Sequence, residues 1–499
     1  MSTLSELFPA GGGDNSIDMV ATGTLPNGSP VILKADGTVE VVAESSIAIS
    51  IPTSEYIYSS GSSNWTSAAF DPSNANRFVV SYRNNTTTYG VSVVGTVSGT
   101  SISFGSEYVF NTGGTSYIDM SFDSNTSGRF VVTYNDEGNS NYGTAIVGTV
   151  SGTSITFGSE YVFNSAGTYQ IDVEYDPSTT DKFVVAYLSY SNFYGTSIVG
   201  TVSGSSISYG TAAVVSANED YSYTVSFDPN TTNSFVVTYK YSGPAGTGGT
   251  QAKGRAVVGT LSGTTISYGS PVEFNSSSSS FMSADFDSST AGKFIVAYQD
   301  IGNSSYGTAI VGTVSGTNIT FGSEYVFNSG ATEEIHMATD KVVAGKFVVA
   351  YTDSPNTSQS TAIVGTVSGT VISYSAEYVF SGTSYWHAVT FDSTQSGVFI
   401  IAYRDSSNLN YGTAIVGQAG STTTNLTSTN LLGISQKAVA NGETTSVETL
   451  GGLSAVHSGL TIGSDYYVAT DGSLTTTSTD NVSIGKAVAA TTLNMRDYV

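Results

Sequence analysis

Tyr142-Gly-Thr-Ala-Ile-Val-Gly-Thr-Val-Ser-Gly152 decides the fold, because its core returns through most of the chain. The first glycine of the recurring Val-Gly-Thr-Val-Ser-Gly motif, with Leu for its second Val after Gly259 and cut to Val-Gly at Gly417, stands at Gly95, Gly148, Gly200, Gly259, Gly312, Gly365 and Gly417, at intervals of 52 or 53 residues with one of 59. A second motif keeps the same beat: an Asp, usually after an aromatic residue, with a Phe-Val-Val-x-Tyr-type run beginning seven residues later. Its aspartates are Asp71, Asp123, Asp176, Asp228, Asp287, Asp340 and Asp392. A fixed period of this size marks a repeat architecture, so the chain is read one repeat at a time.

Within one period the pattern is that of strands. Tyr117–Phe122 reads as a first strand (a), Phe130–Tyr134 as a second (b), Tyr142–Val150 as a third (c) and Ser154–Phe163 as a fourth (d). Gly, Asn, Asp and Ser clusters separate these β-branched and aromatic runs, and nothing in the period reads as a helix. Four short strands in about 50 residues is the signature of a β-propeller blade. Strand d follows every c strand but the last, where Gln418-Ala-Gly-Ser-Thr follows Gly417 instead. The missing copy stands at the front, Ser46–Tyr58, so an N-terminal strand is expected to complete the last blade. That closure pairs strand edges that an open array would leave free to aggregate. The expectation is an all-β protein: a seven-bladed β-propeller over 46–419, closed by an N-terminal strand. The remaining ends, 1–45 and 420–499, leave the ring at one blade. They carry β-rich runs such as Leu25–Leu33, Asn430–Ser435 and Val482–Lys486, with hairpin-turn dipeptides Asp36-Gly37 and Asp471-Gly472. They are expected to form one small β-barrel or sandwich built from both termini.

Composition limits the function. Acidic residues number 39 against 15 basic, for a formal charge of −24, and there are three His and no Cys. This balance argues against nucleic-acid binding and the usual zinc sites, and it excludes a disulfide scaffold. Neither a cofactor nor a metal is expected. Met1–Pro9 has neither a basic nor an apolar segment of a secretory signal, and no apolar run is long enough for a membrane helix. Yet the Gly-, Ser-, Thr- and Tyr-rich, Lys-poor composition is that of an exposed extracellular β protein. Synthesis in a host cytoplasm, assembly into a virion and release by lysis reconcile the two.

The termini carry a resemblance. Thr24-Leu-Pro-Asn-Gly-Ser-Pro-Val-Ile-Leu-Lys-Ala-Asp-Gly-Thr-Val39, with Leu431–Gly442 and Ser458–Leu474, resembles a module of virion proteins of tailed bacteriophages, marine ones especially. The repeats Tyr142–Gly152 and Phe157–Phe163 are similar to proteins from the same kind of genome. The resemblance implies a tail-fibre-like or capsid-surface component and specifies no active site. It implies virion proteins as partners through the terminal domain, and a position on the particle surface. A coiled-coil shaft and long shaft repeats are absent, which favours a compact knob, decoration or fibre tip.

Candidate site residues come from comparing equivalent positions. Six residues before each strand-a Asp stand Trp65, Tyr117, Gln170, Ser222, Phe281, Glu334 and Trp386. Both tryptophans of the chain fall in this column, in repeats that closure makes neighbours, with Tyr117 beside them and His387 following Trp386. Rings clustered at the start of the innermost strand, beside the d–a loops, suit stacking on a sugar's C–H face or capture of an apolar side chain. The bland use of the same rings is packing between blades. Two positions further on, Asp119 and Asp172 are the acidic members of their column, and a carboxylate pair is what glycoside hydrolysis needs. The bland alternative is hydrogen bonding to neighbouring backbone. The aspartate present in every repeat reads as a turn cap. Asp136, Asp300, Asp353 and Asp405 in the b–c turns match no calcium motif, and the insertion Tyr241–Gly254 matches no phosphate loop. No Ser-His-Asp order, HExxH or Asp-box occurs.

The resulting expectation is a non-enzymatic virion structural protein whose propeller presents a face to a host-surface glycan or protein receptor. The rivals are a ligand-free capsid or tail decoration, a secreted lectin and a glycan-cleaving propeller.

Overall fold

The computed structural model describes residues 15–46, 49–52, 54–218, 220–243, 252–420, 422–427, 429–449, 451–469, 471–478 and 481–495. The segment Met1–Pro9, and the Gly-rich centre of the fourth-repeat insertion (244–251), lie outside the described residues. The described chain is all-β. It contains no α-helix, and its helical turns are the short 3-10 segments Glu137–Asn139 and Ile301–Asn303. No helix among the described residues is long and apolar enough to cross a membrane. The chain divides into two compact units, 48–420 and 1–47 with 421–499.

In the larger unit each repeat is an antiparallel meander. In the second repeat, Arg129–Asp136 pairs on one side with Thr115–Phe122 and on the other with Tyr142–Ser151, which pairs in turn with the strand beginning at Ser154. The b strand is buried along its whole length. Val131 packs with Val173, Phe183 and Val185 of the third repeat, and Val132 with Val79 and Val94 of the first. Both faces are thus apolar, which is why the Phe-Val-Val-x-Tyr run lacks the alternation of a half-exposed strand. The two sequence motifs meet in one contact. Gly148 sits opposite Phe130 across the b–c ladder, and the Phe130 ring occupies the space a Cβ on Gly148 would need. The same holds for Gly95 with Phe78, Gly312 with Phe294 and Gly417 with Phe399.

Two expectations are modified. A loop is expected between strands d and a, but Ser154–Tyr175 and Asn318–Thr339 run through as single strands of 22 residues each. Each changes ladder partner midway, from the c strand behind it to the b strand of the next repeat. The front strand, expected from Ser46, begins at Tyr56. Before it Ser46 pairs with Thr422 and Ser50 bridges Gln418, and Pro52, which has no N–H for a ladder, lies between these and Tyr56. Tyr56–Phe70 pairs first with Tyr411–Gln418 of the last repeat, then with Arg77–Asn84 of the first.

The repeated aspartate caps its turn and also reaches the next repeat. Asp392 Oδ1 accepts from the Thr394 N–H at 2.8 Å, and Oδ2 accepts from the Asn76 N–H of the first repeat at 2.8 Å. Asp287 and Asp340 bond the N–H groups of Gly345 and Gly397 in the same way.

The smaller unit holds two five-stranded sheets. One is ordered Ser16–Val20, Thr444–Thr449, Leu431–Ser435, Pro30–Leu33, Val39–Val41, so strands from both ends of the chain share it. The other contains Leu453–Ser454, Thr492–Met495, Val482–Ala489, Asp465–Val468 and Leu474–Thr475. Ile32, Leu431 and Ile434 of the first sheet share a core with Val468, Ile484 and Leu493 of the second.

Candidate functional site

The site is built by a fault in the ladder. Where strand a pairs with strand b, the register slips between Tyr169 and Asp172, and Gln170 takes φ 53°. The slip recurs in every repeat, and the whole column Trp65, Tyr117, Gln170, Ser222, Phe281, Glu334 and Trp386 lies in the left-handed region, from φ 47° at Phe281 to 59° at Trp386. No member is Gly or Asn, and each L-residue there costs roughly 1–2 kcal/mol. A bulge re-aims a side chain out of the strand's in–out alternation. Here it brings all seven side chains to the lining of one cavity of about 460 Å³. Backbone strain retained around one cavity makes it the candidate site.

The rings gather on one arc of that lining. Trp65 lies with its ring centroid 4.1 Å from Trp386 and 4.2 Å from Tyr117, although Trp386 is in the last repeat. All three remain partly exposed, and Phe281 is 37% exposed. The polar members are tied to their neighbours: Glu334 accepts from the Trp386 N–H at 2.8 Å, and Gln170 from the Ser222 N–H at 3.3 Å. Burial raises the Glu334 carboxyl, against the Trp386 N–H and the charge of Arg404. Glu334 is the one carboxylate in the lining, which holds no Lys or Arg.

The other proposed residues are placed differently. His387 lines the cavity but is 5% exposed, with Nε2 2.8 Å from Ser384 Oγ and Nδ1 2.9 Å from the Glu334 carbonyl oxygen. Burial lowers its pKa to about 4, so at neutral pH it is an uncharged ring held by hydrogen bonds. Asp119 and Asp172 are not in the lining. Asp119 accepts from the Val173 N–H at 2.7 Å and from Ser67 Oγ at 2.8 Å, and Asp172 accepts from the Val225 N–H at 2.7 Å. Each carboxylate therefore stitches its strand a to the next one. Ser283 to the Met337 N–H and His336 to the Val389 N–H continue the stitching. Burial pushes Asp119 up to about 6, and burial with the charge of Asp119 raises Asp172 well above the carboxylate range.

The b–c aspartates serve their turns. Asp136 accepts from Asn111 Nδ2 and Asp300 from Asn275 Nδ2, and both cap the following 3-10 turn. No group of three or more potential metal ligands occurs among the described residues.

No protein-family model and no curated protein sequence matches the chain. Among solved structures, the BP39L lectin of Burkholderia pseudomallei is similar with a TM-score of 0.51 at 11% identity, covering 73% of this chain and 98% of that one. The fold is that of a β-propeller. Sqt1 of Chaetomium thermophilum is also similar, with a TM-score of 0.45 at 10% identity over 74% of this chain and all of that one. AofleA of Arthrobotrys oligospora has a TM-score of 0.42 at 9% identity over 72% and 97%.

Within the propeller, sequence comparison found the column but not its reach. Tyr169, one position before it, packs edge-on against Tyr117 with centroids 5.4 Å apart, and Tyr190 and Phe193 continue from there. Their signal is the third b–c turn, Ser189-Tyr-Ser-Asn-Phe193, which carries two aromatics where the corresponding turns of the second, fifth, sixth and seventh repeats carry none.

Proposed function

We propose that this protein is a non-enzymatic, ligand-binding propeller whose seven repeats form seven blades, with Tyr56–Phe70 completing the seventh. Its binding face is the cavity lined by Trp65, Tyr117 and Trp386. One observation carries this reading: seven left-handed, non-glycine residues, three of them rings tilted against one another, share one lining. Rings with adjacent amide, hydroxyl and carboxylate groups match a sugar, which has an apolar C–H face and a hydroxyl edge. The fold of a named lectin, BP39L, is consistent with that use. The two terminal sheets form a small sandwich that attaches the propeller to its carrier. Display on a tailed-phage particle, with host-surface glycan as the ligand, rests on the resemblance of 24–39, 431–442 and 458–474.

The test is glycan-array and whole-cell binding by the purified protein beside Trp65→Ala and Trp386→Ala, with thermal melts of all three and a reducing-sugar assay. Binding by the wild type, lost in variants that still melt cooperatively, with no sugar released, supports the reading. Glycan cleavage abolished by Asp119→Asn would replace it with an enzyme. Absence of binding to any glycan or cell would leave a decoration protein.

A further inference from the structure

The rings at the cavity belong to a longer row. From Trp386 the centroids step 4.1 Å to Trp65, 4.2 Å to Tyr117, 5.4 Å to Tyr169, 4.6 Å to Tyr190 and 4.7 Å to Phe193. Six aromatic side chains from the last, first, second and third repeats thus touch one another in sequence, from the cavity to the third b–c turn. Its outer end is open: Tyr190 is 47% exposed and Phe193 42%. Phe193 also lies at φ 58°. A bulky aromatic in the left-handed region is an outlier that persists only when something retains it. The same turn position is at positive φ in Thr88, Asn141, Ser305, Ser358 and Asn410, and among these the third repeat alone places an aromatic ring there.

Charge selects the occupant. No Asp, Glu, Lys or Arg belongs to the row, Glu334 is the one carboxylate of the adjoining lining, and the chain as a whole carries −24. An acidic polymer would meet the repulsion of the whole chain, and the cations beside the lining are already engaged, Lys240 by Ser280 Oγ and Arg404 by Asn64 and the Tyr385 ring. A neutral chain that repeats an apolar face, with hydroxyl edges for Gln170, Ser222 and Ser191, meets none.

We propose that the row from Trp386 to Phe193 is a track for a linear, neutral oligosaccharide, whose successive residues lie over successive rings. The proposal rests on the cavity's being a glycan site and adds that the site reads chain length. The inner rings hold one end of the chain, and Tyr190 and Phe193 hold residues further along it.

The experiment is calorimetric titration of the full chain with neutral gluco-, manno- and galacto-oligosaccharides as mono-, tri- and hexasaccharides, beside oligogalacturonate and an apolar peptide. The wild type is compared with Tyr190→Ser and Phe193→Gly, both exposed positions, after equal melts have been established. Affinity of the wild type for one neutral series is expected to rise with length, with oligogalacturonate bound far more weakly. Each variant is expected to lower the hexasaccharide-to-monosaccharide affinity ratio by about 2- to 10-fold, the worth of one ring contact. Equal affinity for mono- and hexasaccharide, or an unchanged ratio in both variants, overturns the track while leaving the glycan site standing. Equal binding of oligogalacturonate overturns the charge argument. Binding of the apolar peptide alone, or of nothing, overturns track and glycan site together.

Discussion

Replacing the column residues by glycine and by alanine should reverse the usual order of those two substitutions. Ser222 is the cleanest position: it sits at φ 56°, and its hydrogen bond to Gln170 is made by its own N–H, which any residue but proline keeps. In an ordinary strand, Gly is less stable than Ala by about 0.5–1 kcal/mol, because it has more freedom to lose. At a left-handed position the Cβ costs roughly 1–2 kcal/mol that Gly does not incur. The difference leaves Ser222→Gly ahead of Ser222→Ala by about 0.5–1 kcal/mol. Ser103, exposed in Ser101–Asn111 and without positive φ, is the control and should show the opposite order. At Trp65 the same backbone relief competes with two lost ring pairs worth about 0.5–1.5 kcal/mol each. Trp65→Gly should therefore fall below wild type yet stay above Trp65→Ala. Urea-denaturation midpoints at constant m measure each difference. Alanine equal to or better than glycine at Ser222 would refute the left-handed bulge, and with it the argument that strain is retained to build the lining.

Further outcomes are expected. Gly148→Ala drives a Cβ into the buried Phe130 ring and should cost about 1–3 kcal/mol, part of which Phe130→Leu should restore in the double variant. Asp392→Ala leaves the Asn76 and Thr394 N–H groups without their acceptor and should lower stability by about 1–3 kcal/mol, read as a shifted urea midpoint. Glu174, which accepts from the Phe227 N–H at 2.6 Å, is pushed up to about 8 by burial and then by the charge of Asp285. Folded Glu174 then holds a proton that the unfolded chain has lost, so stability falls as pH rises towards 8. Below 6.5 the buried His336 and His387, both lowered to about 4, oppose this trend, because only the unfolded histidines are protonated there. Between pH 6.5 and 8 the loss is up to about 2 kcal/mol for each such proton, and Glu174→Gln should remove its share and leave that of Asp172, which burial also raises. An unchanged slope in that variant would place the titration elsewhere.

Much of the architecture is legible in the amino-acid order alone, because each repeat states it again. Alternation, turn clusters and the paired Gly and Phe motifs locate strands b and c to within one or two residues at each end. Strand d and its junction with the next a are less legible. Ser154–Tyr175 is continuous because a strand can change ladder partner without a loop, and Asn164-Ser-Ala-Gly167, which reads as a turn, lies inside it where the partner changes. At the front, Ser46–Tyr58 reads as one strand, but the structure divides it into Ser46 against Thr422, a bridge at Ser50 and the strand that begins at Tyr56. For the site, the column containing both tryptophans is legible, whereas the left-handed backbone beneath it is not. Trp, Tyr, Gln, Ser, Phe and Glu are not residues that announce positive φ.

Periodicity therefore settles the all-β repeat, because strand formation and the pairing of neighbours depend on local alternation and short turns. The sheet packing settles which side chains meet. Asp119 and Asp172 look like a catalytic pair in one dimension, and hydrogen bonds to Val173 and Val225 make each a link between strands. Tyr169, Tyr190 and Phe193 look like unrelated aromatics and become one row with Tyr117, Trp65 and Trp386. A bulge turns a side chain by an amount that no residue type encodes. Contacts between residues as distant as Trp65 and Trp386 exist only when the first and last repeats are brought together.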